Sequence, residues 1–312
     1  MKTLHIILLV LINILAIVGL IYIIGTIIGY IRYEKYKPAI YFSDINNIHC
    51  GKLTCFPDMI DLPFPSFDTN YNQNIAKYCI YLIQRIYISV AENTNYIKPS
   101  QLTTEIKLNY DGELFGVISS YQDNIIISFR GTKYINEWAD DFDYEQVYFL
   151  KDANNGLKES LDDINLAPSV HKGFYDLYNI IRDQILLTLK KLDPNKTKNI
   201  IITGHSLGSG IATICLIDLY YEKYNNLLCY VFASPRVGNE KFSKLFDNLK
   251  LYNIMNSLDM IPALPPSVCP NFKNKEQPYI YYNCGKILSF EDNWQSMKNN
   301  HDLGIYLANL PK

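Results

Sequence analysis

The 312-residue chain lacks an excess of either charge: 29 Lys and Arg stand against 31 Asp and Glu, a formal net charge of -2. That balance leaves no basic field for a polyphosphate partner, and the lysines are interrupted by Asn and Asp rather than clustered, so the pattern argues against nucleic-acid binding. A Gly-Lys-Ser/Thr triplet is absent, which excludes a Walker phosphate loop. The glycine-rich turn that carries Gly208 and Gly210 has Thr213 at the sixth position of G-x-G-x-x-G, which excludes a dinucleotide fingerprint. Internal repeats and low-complexity linkers are missing too. With 48% hydrophobic and 19% charged residues the chain reads as folded, with enough apolar mass for a large core.

Histidine is scarce, five in all, and the seven cysteines form an odd set. Cys50 with Cys55, and Cys269 with Cys284, are each close in sequence within loop-like surroundings, so each pair could bridge in an oxidising compartment. Cys79, Cys215 and Cys229 fall in apolar patterns and read as buried thiols. His49 beside Cys50 and Cys55 falls short of a four-ligand zinc pattern, and no metal is expected.

A long apolar run dominates what is present. Residues 4–31 contain no Asp, Glu, Lys or Arg. About 20 apolar residues cross a bilayer core. The run exceeds the roughly 7 to 15 apolar residues of a cleaved signal peptide, and no small-x-small site follows it. A single-pass membrane anchor at residues 4–31 is the expectation. Residues 1–37 then comprise the anchor and a basic collar of Arg32, Lys35 and Lys37, and residues 38–312 form one domain. The side of the membrane stays open, because the collar favours a cytosolic domain while the sequon at Asn195 and the cysteines matter only in a secretory lumen.

After a Pro-rich stretch at 56–67, strand and helix patterns alternate. Helical spacing covers 74–92, 174–192 and 207–224. Apolar strand patterns cover 113–121 and 124–132 around a tight connection at Gln122-Asp123, then 200–203, 227–234 and 251–257. The strand at 200–203 does not alternate with polar residues, as expected for a parallel sheet buried on both faces. The expected class is α/β, a mostly parallel central sheet with helices on both faces.

The strand at 200–203 runs into Gly204-His205-Ser206-Leu207-Gly208, which fits G-x-S-x-G, the strained strand-to-helix turn that projects a serine hydroxyl. The same turn sets the Leu207 amide at a helix N-terminus, where it can stabilise an oxyanion. In this motif's chain order the acid and then the histidine follow the serine. His301 is the one histidine after Ser206, so it is the candidate base. Asp259, after a strand and before Pro262, is the best-placed acid; Asp247 and Asp292 are less well placed.

Together with "GHSLGSGIA", the segments "FRGT" (129–132), "WADDF" (138–142), "VHKGF" (170–174), "ASPRVGN" (233–239) and "NSLDMIPALPP" (256–266) resemble, in order, the motifs of the class 3, fungal-type, lipases. The resemblance implies an α/β-hydrolase fold with Ser206 as nucleophile, Asp259 as orienting acid and His301 as general base. It implies Thr132 as a second oxyanion donor beside Leu207, and a structural role for His171. It also implies a lid just after Thr132, at residues 133–139, where Tyr134, Ile135 and Trp138 can share one helical face. The apolar run at the N-terminus departs from that family's soluble, secreted members. The expected activity is hydrolysis of lipid esters at a membrane or droplet surface through an acyl-enzyme, without metal or organic cofactor. A phospholipase, another serine esterase or a catalytically silent anchored binding module are the alternatives.

Overall fold

The structure, a computed structural model, describes residues 63–132, 144–149, 164–274, 277–294 and 297–312. A seven-stranded sheet forms its centre: β1 (Thr103–Tyr110), β2 (Glu113–Tyr121), β3 (Asn124–Phe129), β4 (Asn199–His205), β5 (Leu227–Phe232), β6 (Leu251–Asn256) and β7 (Lys286–Phe290). Spatial order follows chain order from β1 to β7. β1, β2 and β3 pair antiparallel, and from β3 onward every pairing is parallel. Asp111 and Gly112, both at positive φ, close the β1–β2 hairpin in the way two-residue turns require.

Four helices cover the sheet: α1 (Gln73–Ala91), α2 (Lys172–Leu192), α3 (Leu207–Tyr221) and α4 (Leu303–Ala308). Successive strand residues point to opposite faces, and the two cores divide accordingly. Ile125, Ile127, Ile200, Ile202, Cys229 and Val231 pack with α2 and α3. Ile126, Ile201, Leu228, Tyr230, Phe232 and Ile254 pack with α1 and α4. Burial on both sides accounts for central strands that are continuously apolar. α3 lies between sheet and α2, and its apolar residues accordingly go all the way round rather than forming a stripe.

The expected α/β class with helices on both faces matches this architecture. β1 and β7 were not anticipated. They are the sheet edges, and their half-exposed residues mix polar and apolar types without the run that marks a central strand. The bridge that sequence proximity allowed between Cys269 and Cys284 is not formed: both thiols are free. Cys284 packs into the α2/α3 core, whereas Cys269 belongs to a small cluster with Tyr279 and Tyr281, so burial in separate clusters holds them apart. Cys79, Cys215 and Cys229 are buried thiols, their pKa values pushed up by burial. The span at residues 4–31, the pair Cys50 and Cys55 and the lid segment 133–139 lie outside the described residues. Among the described residues no helix is long and apolar enough to cross a membrane.

The first described segment packs on the α1 side, where Phe64 meets Tyr78 and Tyr121 at ring separations of 5.2 and 5.1 Å. Tyr121 lies opposite Asn124, the first residue of β3.

On the other face, α2 and α3 are joined by a buried ionic cluster. Asp218 accepts from the Tyr178 hydroxyl at 2.6 Å and from Arg182 Nε at 2.9 Å, and Arg182 Nη2 donates to Glu222 at 2.8 Å. Removing one partner of a fully buried pair costs roughly 3–5 kcal/mol. Arg182 is one quarter exposed and keeps Glu222. Asp218→Asn is therefore expected to lower the unfolding free energy by about 2 kcal/mol, below that range, in urea titration with unchanged m value.

Candidate active site

β4 is the central strand, and the chain leaves it at its C-terminal end through Ser206 into α3. Ser206 holds φ 58° and ψ -128°, a region that non-glycine residues occupy only at a cost of about 1–3 kcal/mol. Its N–H donates to the Phe232 carbonyl at 3.0 Å, and its own carbonyl accepts from Ser209 N–H at 2.9 Å. The Ser209 hydroxyl sits 2.8 Å from the carbonyls of both Gly204 and Phe232. Glycines make the turn sterically possible. A Cβ on Gly204 would stand 2.2 Å from the Gly208 carbonyl oxygen, and one on Gly208 would stand 2.4 Å from the Arg130 carbonyl oxygen. The elbow thus presses against the chain leaving β3.

That chain is Arg130-Gly131-Thr132. Gly131 approaches so closely that a Cβ there would lie 2.7 Å from Ser206 Cβ. Arg130, nearly buried, fixes the segment: Nε donates to Leu114 O at 2.7 Å, Nη1 to Gly131 O at 2.7 Å and Nη2 to Glu113 at 3.0 Å. Burial lowers its pKa, against the pull of Tyr87 and Glu113. The Thr132 hydroxyl is buried with no hydrogen-bond partner. Leu207, first residue of α3, has an N–H with no partner inside the helix.

The candidate acid and base come from the far side of the sheet centre. Asp259 follows β6, and His301 precedes α4. His301 Nδ1 and Asp259 Oδ2 are 2.6 Å apart, and both side chains are almost wholly buried. The same Oδ2 accepts from the Tyr306 hydroxyl at 2.8 Å, and Oδ1 accepts from Ile261 N–H at 3.0 Å. Burial and the neighbouring Asp259 raise the Tyr306 pKa well above its ordinary value, so it stays a donor. Two asparagines join the acid loop to the base loop. Asn256 Nδ2 donates to Asp292 O and Asn300 O at 2.8 and 3.2 Å, and Asn300 Nδ2 donates to Leu258 O at 2.9 Å. Arg236 clamps the remainder of the acid loop through Pro265 O at 2.6 Å and through Ala263 O.

Two reactive atoms remain uncommitted. Ser206 Oγ and His301 Nε2 are both buried without a hydrogen-bond partner. In a triad the serine hydroxyl donates to this nitrogen while a third group holds the opposite one; here the third contact is made and the serine–histidine bond is not closed, as is common in unliganded sites.

Of the residues singled out from sequence, the structure places Ser206, Leu207 and Thr132 around one close approach, and Asp259 and His301 in direct contact. Asp292 instead accepts from Asn309 Nδ2 at 2.7 Å. His171 caps α2, its Nδ1 accepting from Gly173 N–H at 3.1 Å, with the ring stacked on Phe174. Tyr306, Asn256, Asn300 and Tyr87 were missed. Nothing in their local sequence separates two tyrosines from 26, although Asn300 and Asn256 border the singled-out His301 and acid loop.

His205, set aside as part of the elbow, lies buried with its ring centroid 4.5 Å from that of His301. Burial first, and the repulsion of a charge on His301 second, lower its pKa well below the ordinary value. It remains neutral beside the candidate base.

Residues 126–269 match the family model described as lipase (class 3). The rice (Oryza sativa subsp. indica) protein phospholipase A1-II 1 is 35% identical over 162 residues, which cover 46% of this chain and 39% of that protein. The lipase of Rhizomucor miehei is 28% identical over 189 residues, covering 58% of this chain and 47% of the other. The chain spans about two fifths of the length of the plant relatives it matches. Among solved structures, a triacylglycerol lipase described as having a serine protease triad at its catalytic centre superposes with a TM-score of 0.51. It is 26% identical and covers 63% of this chain and 76% of its own.

The neutrality of His205 sets a pH dependence of stability. As pH falls through about 6.5 the unfolded histidine takes up a proton and the folded one does not, so its stabilising effect is complete above that pH and is lost below it. The slope from this one residue is at most about 1.4 kcal/mol per pH unit. Urea titrations of the parent and His205→Asn at pH 7.5, 6 and 5 should show the variant losing less stability across that range.

Proposed function

We propose that this chain is a serine-dependent carboxylic ester hydrolase of class 3 lipase type, acting on the ester bonds of lipids. The observation that carries the reading is the set of three buried atoms without partners, Ser206 Oγ, His301 Nε2 and Thr132 Oγ1, beside an imidazole whose other nitrogen is held by a buried carboxylate. Other buried polar atoms of the described residues, Tyr78 Oη and Asn253 Oδ1 among them, also lack partners, so what supports the reading is the placement of these three at the strained elbow and beside the Asp259-held imidazole.

In the proposed reaction His301 Nε2 takes the Ser206 proton as Oγ attacks the ester carbonyl. The negative charge that develops on the carbonyl oxygen is met by the Leu207 N–H and by Thr132. His301, now an imidazolium, gives its proton to the leaving alcohol, and water then releases the acid by the same steps. Asp259 stabilises the imidazolium and fixes its tautomer, and Tyr306 and the Ile261 amide keep that carboxylate from rotating away. Aliphatic lipid esters fit the relatives named phospholipase A1 and lipase, and the phospholipid reading is favoured by the higher identity to the rice protein. On the same proposal, residues 4–31 hold the enzyme on a membrane, close to such substrates.

The full chain and a Ser206→Ala variant, each in mild detergent, would be incubated with emulsified triacylglycerol, phosphatidylcholine vesicles and p-nitrophenyl butyrate, and the released acid titrated. Ser206-dependent release, higher from aggregated lipid than from the soluble ester, is expected; release unaffected by the substitution would overturn the proposal. Thr132→Val is expected to lower kcat by about 10²–10³-fold with little change in KM, the size of effect seen when one oxyanion donor is removed.

A further inference from the structure

The carbonyl of His301 accepts a hydrogen bond from the elbow histidine, His205 Nε2, at 3.0 Å. A carbonyl can only accept, so Nε2 carries the ring proton. In a neutral imidazole Nδ1 is then an acceptor. Its partner is the hydroxyl of Tyr87, 2.9 Å away, which must donate. The lone pairs of that oxygen remain available, and one of them accepts the N–H of Gly131 at 2.7 Å. Each member of this chain of bonds leaves the next with a single role: Gly131 N–H to Tyr87 Oη–H to His205 Nδ1, then His205 Nε2–H to His301 O.

The endpoints decide its significance. Gly131 lies between Arg130 and Thr132, at the segment pressed on Ser206 Cβ. His205 precedes Ser206, and His301 is the candidate base. Tyr87 belongs to α1, an element that contributes nothing else to the site, and its ring meets that of His205 edge-on at 5.8 Å. Arg130 holds Gly131 by its carbonyl and Tyr87 holds it by its N–H, so both peptide planes of that residue are fixed.

We propose that Tyr87 and His205 are positioning residues, a fixed-tautomer relay that sets the oxyanion segment, the nucleophile and the base in register with one another. This rests on the ester-hydrolase reading above. The relay touches no substrate, so its loss lowers the rate of the chemical steps rather than substrate binding. It also gives His205 a second role, because with Nδ1 occupied by Tyr87 the ring stays neutral 4.5 Å from the imidazole that must become charged.

The test uses the full chain, with kcat and KM for p-nitrophenyl butyrate, the thermal midpoint, and Ser206→Ala as control. Tyr87→Phe is expected to lower kcat by tenfold or more, on the order of what misplaced catalytic groups lose, with KM within about twofold of the parent. The double variant Tyr87→Phe/His205→Gln should lose less than the product of the two single losses, because the two residues act through one chain. A kcat within about twofold of the parent, a loss confined to KM, or losses that multiply would overturn the relay. Should Tyr87→Phe fail to fold, the His205 series decides. Gln keeps a donor for the His301 carbonyl and Asn keeps an acceptor for Tyr87, so each is expected to retain more kcat than Ala; equal values in all three overturn the proposal. A parent without Ser206-dependent turnover would instead remove the hydrolase reading, and the relay with it, whereas an active parent with an unaffected Tyr87→Phe removes the relay alone.

Discussion

Everything at the site depends on how closely three stretches of backbone approach one another around Ser206. The serine sits at positive φ, and the turn persists because the surrounding chain leaves it no alternative: the Gly208 carbonyl stands where a side chain on Gly204 would be, and the Arg130 carbonyl stands where one on Gly208 would be. The elbow, the start of α3 and the end of β3 therefore form one rigid junction, and the amide of Leu207 and the hydroxyl of Thr132 are held without any long side chain spanning between them. The parallel register of β3 with β4, from Asn124 opposite Asn199 to Phe129 opposite Gly204, brings the two strand ends to the same level.

The proposed base has no such junction beneath it. His301 precedes a helix of six residues and sits on a loop, so its position has to come from hydrogen bonds. Asp259, itself held by the Tyr306 hydroxyl, holds its ring, Asn256 and Asn300 hold the two loops together, and His205 holds its backbone carbonyl. Each of these polar side chains is buried, and buried polar networks of this sort are rigid only when every member is satisfied. The contrast is between a serine held by steric exclusion and a histidine held by directional bonds.

These two modes of support also explain what could be read in advance. Ser206, Leu207, Asp259 and His301 could be singled out because a short motif and a chain order mark them as candidates, and the central strands because burial on both faces leaves an unbroken apolar run. Tyr87, Tyr306 and Asn256 could not, since a hydroxyl or amide that serves a partner 36 to 118 residues away carries no local periodicity or spacing. β1 and β7 escaped notice for a related reason: an edge strand is half wet, and its composition approaches that of a loop. The cysteines show the converse limit of local spacing. Cys269 and Cys284 lie close in sequence, yet the chain folds them into different apolar clusters.

The packing of Phe64 on Tyr121 has an orientational consequence. β3 starts beside Tyr121 and, six residues later, delivers the chain to Gly131 and Ser206. At roughly 3.3 Å per residue, the described chain thus begins about 20 Å from the serine along the strand direction, at the opposite pole of the sheet. The described chain thus enters the body at the end of the sheet remote from Ser206, on the face that α1 covers.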